Sequence, residues 1–202
     1  ETWTESDTGS CYFSGDQEAL YNGDDFVVSS GAGVCLGNPT DGWALHETGF
    51  VQSSGSDSLN GIAFDGTTYV VVGNSGHLAT SPDGANWTVQ TTPASSELYD
   101  VAWTGSQFVA VGSDDLVMTS PAGSAWTEVS GLPTTSYRHI AAAPAGGILL
   151  VAGGTGCYTG DPTLTACEEV DLRLDKSIND IAWHDGAFYA AGEDGVLLKL
   201  TP

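Results

Sequence analysis

Four ionisable side chains stand at intervals of about 40 residues or twice that, namely Glu18, Asp100, His139 and Asp180. Carboxylates held close together raise one another's pKa or recruit a cation that offsets their charge. Calcium prefers oxygen ligands, so Asp100 and Asp180 are candidates for a calcium site. Glu18, Asp100 and Asp180 could instead supply the acid and base of glycoside cleavage. His139 and its neighbour Arg138 make a basic spot that could capture an anionic group or neutralise Asp100 and Asp180. These five side chains are the predicted ligand-binding set.

An internal repeat produces this spacing. Residues 61–90 match residues 100–129 position by position with a shift of 39 residues. The same template returns from His139 and Asp180, and more loosely from Glu18. A period near 40 residues is typical of propeller blades or solenoid units. We therefore expect residues 1–202 to form one domain of five repeats, beginning near positions 18, 61, 100, 139 and 180.

Each repeat carries the signals of four short β-strands. In the second repeat a short apolar run ends at Phe64, a turn at Asp65 and Gly66 follows, and a β-branched run begins at Tyr69. A third strand and a Pro-Asp-Gly corner lead to a fourth strand that opens with Trp87. No segment has helical periodicity. Four strands per repeat predict an all-β fold, a five-bladed β-propeller.

The two ends of the sequence predict how this propeller closes. The fifth repeat stops at Pro202 after its third strand, whereas residues 1–5 resemble the fourth strands that begin at Trp87 and Trp126. We therefore expect residues 2–5 to pair with residues 196–200 and complete the last blade. This pairing would remove the open edges of the array. The ligand-binding positions, which the pattern places just before each innermost strand, would then share the mouth of a central channel.

Two motifs resemble known propeller families. Residues 81–87, Ser-Pro-Asp-Gly-Ala-Asn-Trp, resemble the Asp-box of the bacterial neuraminidase repeat, and the longer template from Asp100 to Trp126 resembles photosystem II assembly-factor-like propellers. The pattern departs at Ala122, which stands where the Asp-box has its Asp. The resemblance implies a blade and not an activity. It also implies another role for the channel carboxylates, which is to accept hydrogen bonds from the backbone of the adjacent blade.

Composition excludes several classes of function. The chain has 26 Asp and Glu against 4 Lys and Arg, a formal net charge of −22. Nucleic-acid binding needs cations that displace the counterions of phosphate, so we expect no nucleic-acid partner. A sialidase needs a cluster of arginines for its substrate carboxylate, and this chain has only Arg138 and Arg173. No apolar run reaches the roughly 20 residues that a membrane-spanning helix needs.

The four cysteines suit an oxidising compartment. Their positions predict the disulfides Cys11–Cys35 and Cys157–Cys167, one of three possible connectivities. A zinc site would want closer cysteine spacing or added histidines. The sequence begins at Glu1 and shows no basic and apolar leader. We therefore expect a protein that is secreted or displayed on a cell surface, with its signal segment removed.

The function that we predict from the sequence is a non-catalytic binding or assembly module. Its partner would be an extracellular protein, a surface filament or a glycan, bound on loop faces or at the channel mouth. Two alternatives stay open. One is a multivalent lectin with equivalent carbohydrate-binding sites between blades. The other is a glycoside hydrolase or lyase that uses the channel carboxylates. No cofactor is certain, and calcium is the one that the residues suggest.

Overall fold

The computed structural model describes residues 9, 11, 18–31, 33–50, 58–133, 135–144, 146–153, 155–172 and 177–202. These residues form nineteen β-strands and two one-turn 3-10 helices, at Asn74–Gly76 and Glu193–Gly195. The strands form five antiparallel sheets, and within each sheet every strand pairs with the next one in sequence. The predicted all-β fold and its repeat are therefore confirmed.

The sheets are numbered here in chain order. Sheet 1 contains β1 (Ala19–Tyr21), β2 (Phe26–Ser30), β3 (Gly33–Asn38) and β4 (Gly42–Glu47). Sheet 2 contains β5 (Leu59–Phe64), β6 (Tyr69–Gly73), β7 (Leu78–Ser81) and β8 (Thr88–Val89). Sheet 3 contains β9 (Leu98–Trp103), β10 (Phe108–Gly112), β11 (Val117–Ser120) and β12 (Thr127–Glu128). Sheet 4 contains β13 (His139–Ala142), β14 (Ile148–Ala152), β15 (Thr155–Thr159) and β16 (Glu168–Asp171). Sheet 5 contains β17 (Ile178–His184), β18 (Ala187–Gly192) and β19 (Leu197–Leu200).

The second strand of each sheet shows why these segments become strands with two covered faces. In β6 the run Tyr-Val-Val-Val-Gly is buried throughout. Because successive side chains point to opposite faces, such a run needs an apolar neighbour on each side. Val71 packs in a cluster with sheet 1, whereas Val70 and Val72 pack in a cluster with sheet 3.

Four apolar clusters of this kind join consecutive sheets. They lie between sheets 1 and 2, 2 and 3, 3 and 4, and 4 and 5. The first strands also contact one another in series, β1 with β5, β5 with β9, β9 with β13 and β13 with β17. The sheets are therefore stacked face to face with their first strands innermost, which is a propeller-like arrangement.

Both predicted disulfides are present, Cys11–Cys35 and Cys157–Cys167. The second one closes a loop that replaces the corner found in sheets 2 and 3. This loop buries Leu164 completely in the cluster between sheets 3 and 4. The side chain of Gln107 in sheet 3 also donates a hydrogen bond to the carbonyl of Pro162. The inserted loop therefore packs back onto the preceding sheet.

The corner of sheet 2 is held by its own side chains. Asp83 Oδ1 accepts hydrogen bonds from the amides of Ala85 and Asn86 at 3.0 and 2.7 Å. These bonds hold the pKa of Asp83 well below its ordinary value. The indole of Trp87 donates to the carbonyl of Gly84 at 2.9 Å, as Trp126 does to the corresponding glycine in sheet 3.

The predicted closing strand, residues 2–5, lies outside the described residues, as does Trp3. Sheet 5 has three strands among the described residues, where each of the other sheets has four. The pairing of residues 2–5 with residues 196–200 is therefore still a prediction.

Candidate functional site

The predicted site residues lie close to the start of the first strands. Glu18 immediately precedes β1, as the sequence pattern predicts, whereas His139 is the first residue of β13. Asp100 and Asp180 are instead the third residues of β9 and β17, and Gly61 is the third residue of β5. In these three strands the expectation that the position precedes the strand was wrong, because pairing with the second strand starts two residues earlier.

A β-bulge causes that difference. In sheet 3, Leu98 pairs with Gly112 and Asp100 pairs with Val111, so Tyr99 is an extra residue without a partner in the ladder. The same irregularity makes Asn60 the extra residue of β5 and Asn179 that of β17. A bulge re-aims side chains near a sheet edge. The sequence pattern does not single out these three residues, although they stand directly before the predicted site position in three repeats.

First-strand residues of all five sheets surround one cavity of about 580 Å³. Its lining contains four predicted site residues and the three bulge residues. The lining residues are Glu18, Ala19, Asn60, Tyr99, Asp100, His139, Asn179, Asp180, Ile181 and Ala182. Among the described residues, Glu18, Asp100, His139 and Asp180 therefore line the same cavity, as the repeat predicts. Arg138 is not part of the lining.

Two carboxylates bridge neighbouring sheets. Glu18 Oε2, at the edge of sheet 1, accepts a hydrogen bond from the amide of Ile62 in sheet 2 at 2.7 Å. Asp100 Oδ2 in sheet 3 accepts from the amide of Ile140 in sheet 4 at 2.9 Å. Asp100 Oδ1 also accepts from Val101 at 2.7 Å. These bonds are the backbone role that the family resemblance implied, and they tie the innermost strands together.

Within the described part of the chain, Gly61 and Asp180, at the equivalent positions of sheets 2 and 5, do not bridge to the next sheet through a side-chain hydrogen bond in the way that Glu18 and Asp100 do. A Cβ added to Gly61 would lie 2.9 Å from the Cα of Asp100, so the innermost strands of sheets 2 and 3 approach too closely for any larger residue. Asp180 is exposed, and its Oδ1 accepts a hydrogen bond from the amide of Ile181 in its own strand at 2.8 Å. Asp180 is therefore the carboxylate with most freedom to meet a ligand.

Burial and mutual repulsion change the ionisation of this cluster. Burial raises the pKa of Glu18 well above its ordinary value, the charge of Asp100 raises it further, the hydrogen bond from Ile62 lowers it, and Asp180 adds a smaller increase. Burial also raises the pKa of Asp100 to about 7, against its two backbone hydrogen bonds and with a small contribution from Asp180. Asp100 therefore carries a proton part of the time near neutral pH.

Arg138 lies outside the cavity lining, next to His139, which is part of it. Its guanidinium lies over the ring of Tyr99, 4.7 Å from the ring centroid, in a cation–π contact at the rim of the cavity. The hydroxyl of Tyr99 donates to Glu97 Oε2 at 3.1 Å. Burial raises the pKa of Tyr99, and the hydrogen bond to Glu97 adds to that increase. The capture of an anion by His139 and Arg138, or their neutralisation of Asp100 and Asp180, stays a prediction.

The donor set gives no direct support to the predicted calcium site. Within the described ranges, no group of three or more His, Cys, Asp or Glu side chains is arranged to hold a metal ion. Both oxygens of Asp100 already accept backbone hydrogen bonds. Calcium at Asp100 and Asp180 therefore stays a prediction from sequence.

Most of the sequence matches the model of one protein family. The model of the DUF6242 beta propeller domain matches residues 2–157. The chain belongs to this family. No curated protein resembles this chain closely enough in sequence to count as a relative.

Several solved structures share the fold of this chain. YCF48 bound to D1 peptide has a TM-score of 0.67 at 13% identity, and the match covers 95% of this chain and 69% of that one. YCF48 from Cyanidioschyzon merolae has a TM-score of 0.68 at 15% identity, with 93% and 66% covered. The WD40 beta propeller domain of Doa1 has a TM-score of 0.68 at 11% identity, with 91% and 64% covered. The chain thus spans about two thirds of the length of these propellers.

Proposed function

We propose that this chain is a non-catalytic module that binds a segment of a partner protein at its central cavity. The observation that carries the proposal is the cavity itself, which residues from five sheets line with polar and ionisable side chains. Propeller neighbours support it, because one of them is a structure with a bound peptide. A rigid scaffold that presents a concave site is the usual setting for such binding.

The chemistry of the cavity favours a cationic segment. Glu18, Asp100 and Asp180 all line it, in a chain whose net charge is −22. A lysine or arginine side chain entering the cavity would meet Asp180 first, since that carboxylate is exposed. It would also lower the repulsion that raises the pKa of Glu18. We therefore propose a partner segment that presents basic residues.

The setting that we propose is extracellular, either secreted or on a cell surface. Two disulfides fit an oxidising compartment. None of the helices among the described residues is long and apolar enough to cross a membrane. An extracellular protein or a surface filament is the proposed partner, and a glycan bound as a lectin would bind it is the alternative.

A titration with two peptides tests the proposal. A lysine-rich decapeptide and a glutamate-rich one of equal length serve as probes, with binding measured by fluorescence anisotropy at low and high salt. We expect the basic peptide to bind and the acidic one not to bind. Asp180→Asn should weaken binding about three- to tenfold, which corresponds to roughly 1 kcal/mol for one partly screened charge.

Asp185→Asn is the matched control, because Asp185 is an exposed aspartate in the turn that follows the same strand, β17. It removes an equal charge without touching the cavity lining. Equal losses in the two variants would mean that only net charge matters, and would contradict a site at the cavity. Equal affinity for both peptides would also contradict the proposal.

A second candidate function is cleavage of a glycan with Glu18, Asp100 and Asp180 as acid and base. The raised pKa of Asp100 favours it, because a general acid must hold a proton near the working pH. Turnover of a polysaccharide that Asp180→Asn abolishes while peptide binding stays undetectable would favour this candidate. No turnover on a broad panel, together with peptide binding, would favour the binding module.

The closed form of the fold, which the sequence predicts, is the alternative to the open arrangement of sheets 1 and 5 that we propose below. In this form residues 1–202 make one domain of five blades, with residues 2–5 as the fourth strand of sheet 5. Its support is the likeness of residues 1–5 to the other fourth strands and the missing fourth strand among the described residues of sheet 5. Closure would bring Trp3 beside Leu198, which a cross-link between these positions would detect.

A further inference from the structure

In the part of the chain that the structure describes, sheets 1 and 5 each have one face that packs on no other sheet in the four apolar clusters, called here the outer face. The outer faces of both sheets carry the residue types that form the inter-sheet interfaces elsewhere in the chain. In each sheet from 2 to 5, one face lies against the preceding sheet. The first or second residue of the second strand has its side chain on this face. In sheets 2 to 5 this residue lies in an inter-sheet cluster and is at most 4% exposed. The four residues are Tyr69, Phe108, Ile148 and Phe188. Phe26, their counterpart in sheet 1, is 39% exposed.

Phe26 belongs to an aromatic pair that is repeated in three other sheets. Its ring lies 5.0 Å from that of Tyr21 in the neighbouring strand β1, and Tyr21 is itself largely exposed. The corresponding pairs in sheets 2, 3 and 5 are Phe64–Tyr69, Trp103–Phe108 and Trp183–Phe188. Each of those pairs packs against the sheet before it. The aromatic pair of sheet 1 is therefore shaped for a sheet that would precede it.

Sheet 5 shows the opposite half of the same interface. Leu197 stands at the start of the third strand, opposite Ala191. Its counterparts Leu78, Val117 and Val34 pack against the following sheet and are at most 1% exposed, whereas Leu197 is 69% exposed. Ala191 is exposed as well, and Tyr189 on this face is partly covered by Lys199.

The two faces do not cover each other. Among the described residues, apolar clusters join each sheet to the next from sheet 1 to sheet 5, and none joins sheet 5 to sheet 1. Comparison with a longer propeller indicates how much is needed to cover them. The match with YCF48 bound to D1 peptide uses 95% of this chain but 69% of that chain. The remaining length of that chain is enough for about two repeats of roughly 40 residues.

We propose that the outer faces of sheets 5 and 1 form a docking site for a partner polypeptide that supplies two further propeller-type β-sheets. One partner sheet packs its aromatic pair on Leu197 and Ala191, and the other packs its aliphatic face on Tyr21 and Phe26. The interfaces between sheets 1 and 2, 2 and 3, and 4 and 5 already use this same combination of an aliphatic face with an aromatic pair. Burial of these faces would contribute about 25 cal/mol for each Å² of apolar surface removed from water.

A distance measurement first separates an open site from a closed ring. Spin labels on Tyr21→Cys and Leu197→Cys are suitable because both side chains are exposed and the native cysteines are paired in disulfides. Sheets pack about 10 Å apart, so room for two sheets predicts a separation near 30 Å. A separation near 10 Å would mean that sheets 5 and 1 pack on each other, and would overturn the proposal.

A fusion then tests the occupant. Residues 58–133, which form sheets 2 and 3, are added as a second copy behind the full chain through a Gly/Ser linker of about 15 residues, which spans roughly 20 Å. The added sheets carry the faces that the proposal requires. We expect amide hydrogen exchange in β19 and β2 to slow at least tenfold and binding of an apolar dye to fall severalfold.

The matched control is the same fusion with Leu197→Asp. This substitution leaves the unfused chain folded, since the side chain is exposed, but puts a charge in the docking site. It should return exchange in β19 to the rate of the unfused chain. Unchanged exchange in the fusion without this substitution, or equal protection in both fusions, would overturn the proposal. Neither result depends on the cavity, so the binding function stands or falls separately.

Discussion

At the scale of single residues, the cavity carboxylates serve structure and electrostatics together. Asp100 joins sheet 3 to sheet 4 through Ile140, and Glu18 joins sheet 1 to sheet 2 through Ile62. Both do so with a raised pKa, because burial disfavours their charged forms. A hydrogen-bond acceptor is therefore needed at these positions whether or not a ligand is bound.

Asp100→Asn should lower the free energy of unfolding by about 1–3 kcal/mol. The asparagine side chain has one acceptor oxygen, whereas the amides of Val101 and Ile140 each donate to a separate oxygen of Asp100. For a chain of this length, each kcal/mol corresponds to a change of about 2–4 °C in melting temperature. Thermal unfolding followed by circular dichroism measures the loss. Asp185→Asn is the control and should change stability by less than about 0.5 kcal/mol. Equal melting temperatures for the two variants would contradict the bridging role.

The same groups make stability depend on pH in a definite direction. A carboxyl with a folded-state pKa near 7 binds more protons in the folded chain than in the unfolded chain, whose Asp pKa is near 3.9. Its contribution is complete below the unfolded value and is lost as the pH rises through the folded value. We expect the melting temperature to fall between pH 5 and pH 8, and to fall less steeply in Asp100→Asn. A parallel decrease in the parent and the variant would exclude Asp100 as a source.

At the scale of elements, the close approach of the innermost strands positions the site. Gly61 allows β5 to lie against Asp100 in β9 without a side chain between them. In sheets 1 and 3 the equivalent residue is instead a carboxylate that spans the gap to the next sheet. The bulges that place Asn60, Tyr99 and Asn179 at the cavity belong to the same strands.

Gly61→Ala should therefore destabilise the chain by about 1–3 kcal/mol, as overpacking of a well-filled interior does. The added Cβ would meet backbone atoms, which cannot move aside as a flexible side chain can. Gly160→Ala is the control, because the nearest atom to its added Cβ is the Tyr158 hydroxyl oxygen at 4.0 Å. Chemical denaturation of both variants gives the comparison. A Gly61→Ala variant as stable as Gly160→Ala would mean that the strands have room to separate.

At the scale of the whole molecule, much of the architecture could be predicted from sequence. The repeat of about 40 residues fixes strand order within each sheet, because turn residues recur at the same offsets. The convergence of Glu18, Asp100, His139 and Asp180 on one cavity follows from that repeat. Both disulfides were also predicted from cysteine position.

Other features could not be read from the same pattern. A bulge changes the pairing register by one residue without a distinctive residue type, so Tyr99 and its counterparts were not selected. The exposure of Phe26 and Leu197 depends on what lies beside sheets 1 and 5, while their residue types match those of buried counterparts. The guanidinium of Arg138 lies over the ring of Tyr99, a contact that the spacing of charges does not reveal.

Titration of Glu18 by nuclear magnetic resonance tests the central claim, that first strands from distant parts of the chain surround one cavity. The pKa of Glu18 should be well above its ordinary value in the parent, should fall in Asp180→Asn, and should fall further in Asp100→Asn, because Asp100 has the larger effect. Asp185→Asn should leave it unchanged. An ordinary pKa for Glu18 in the parent, or a raised one that responds to neither cavity substitution, would contradict the account.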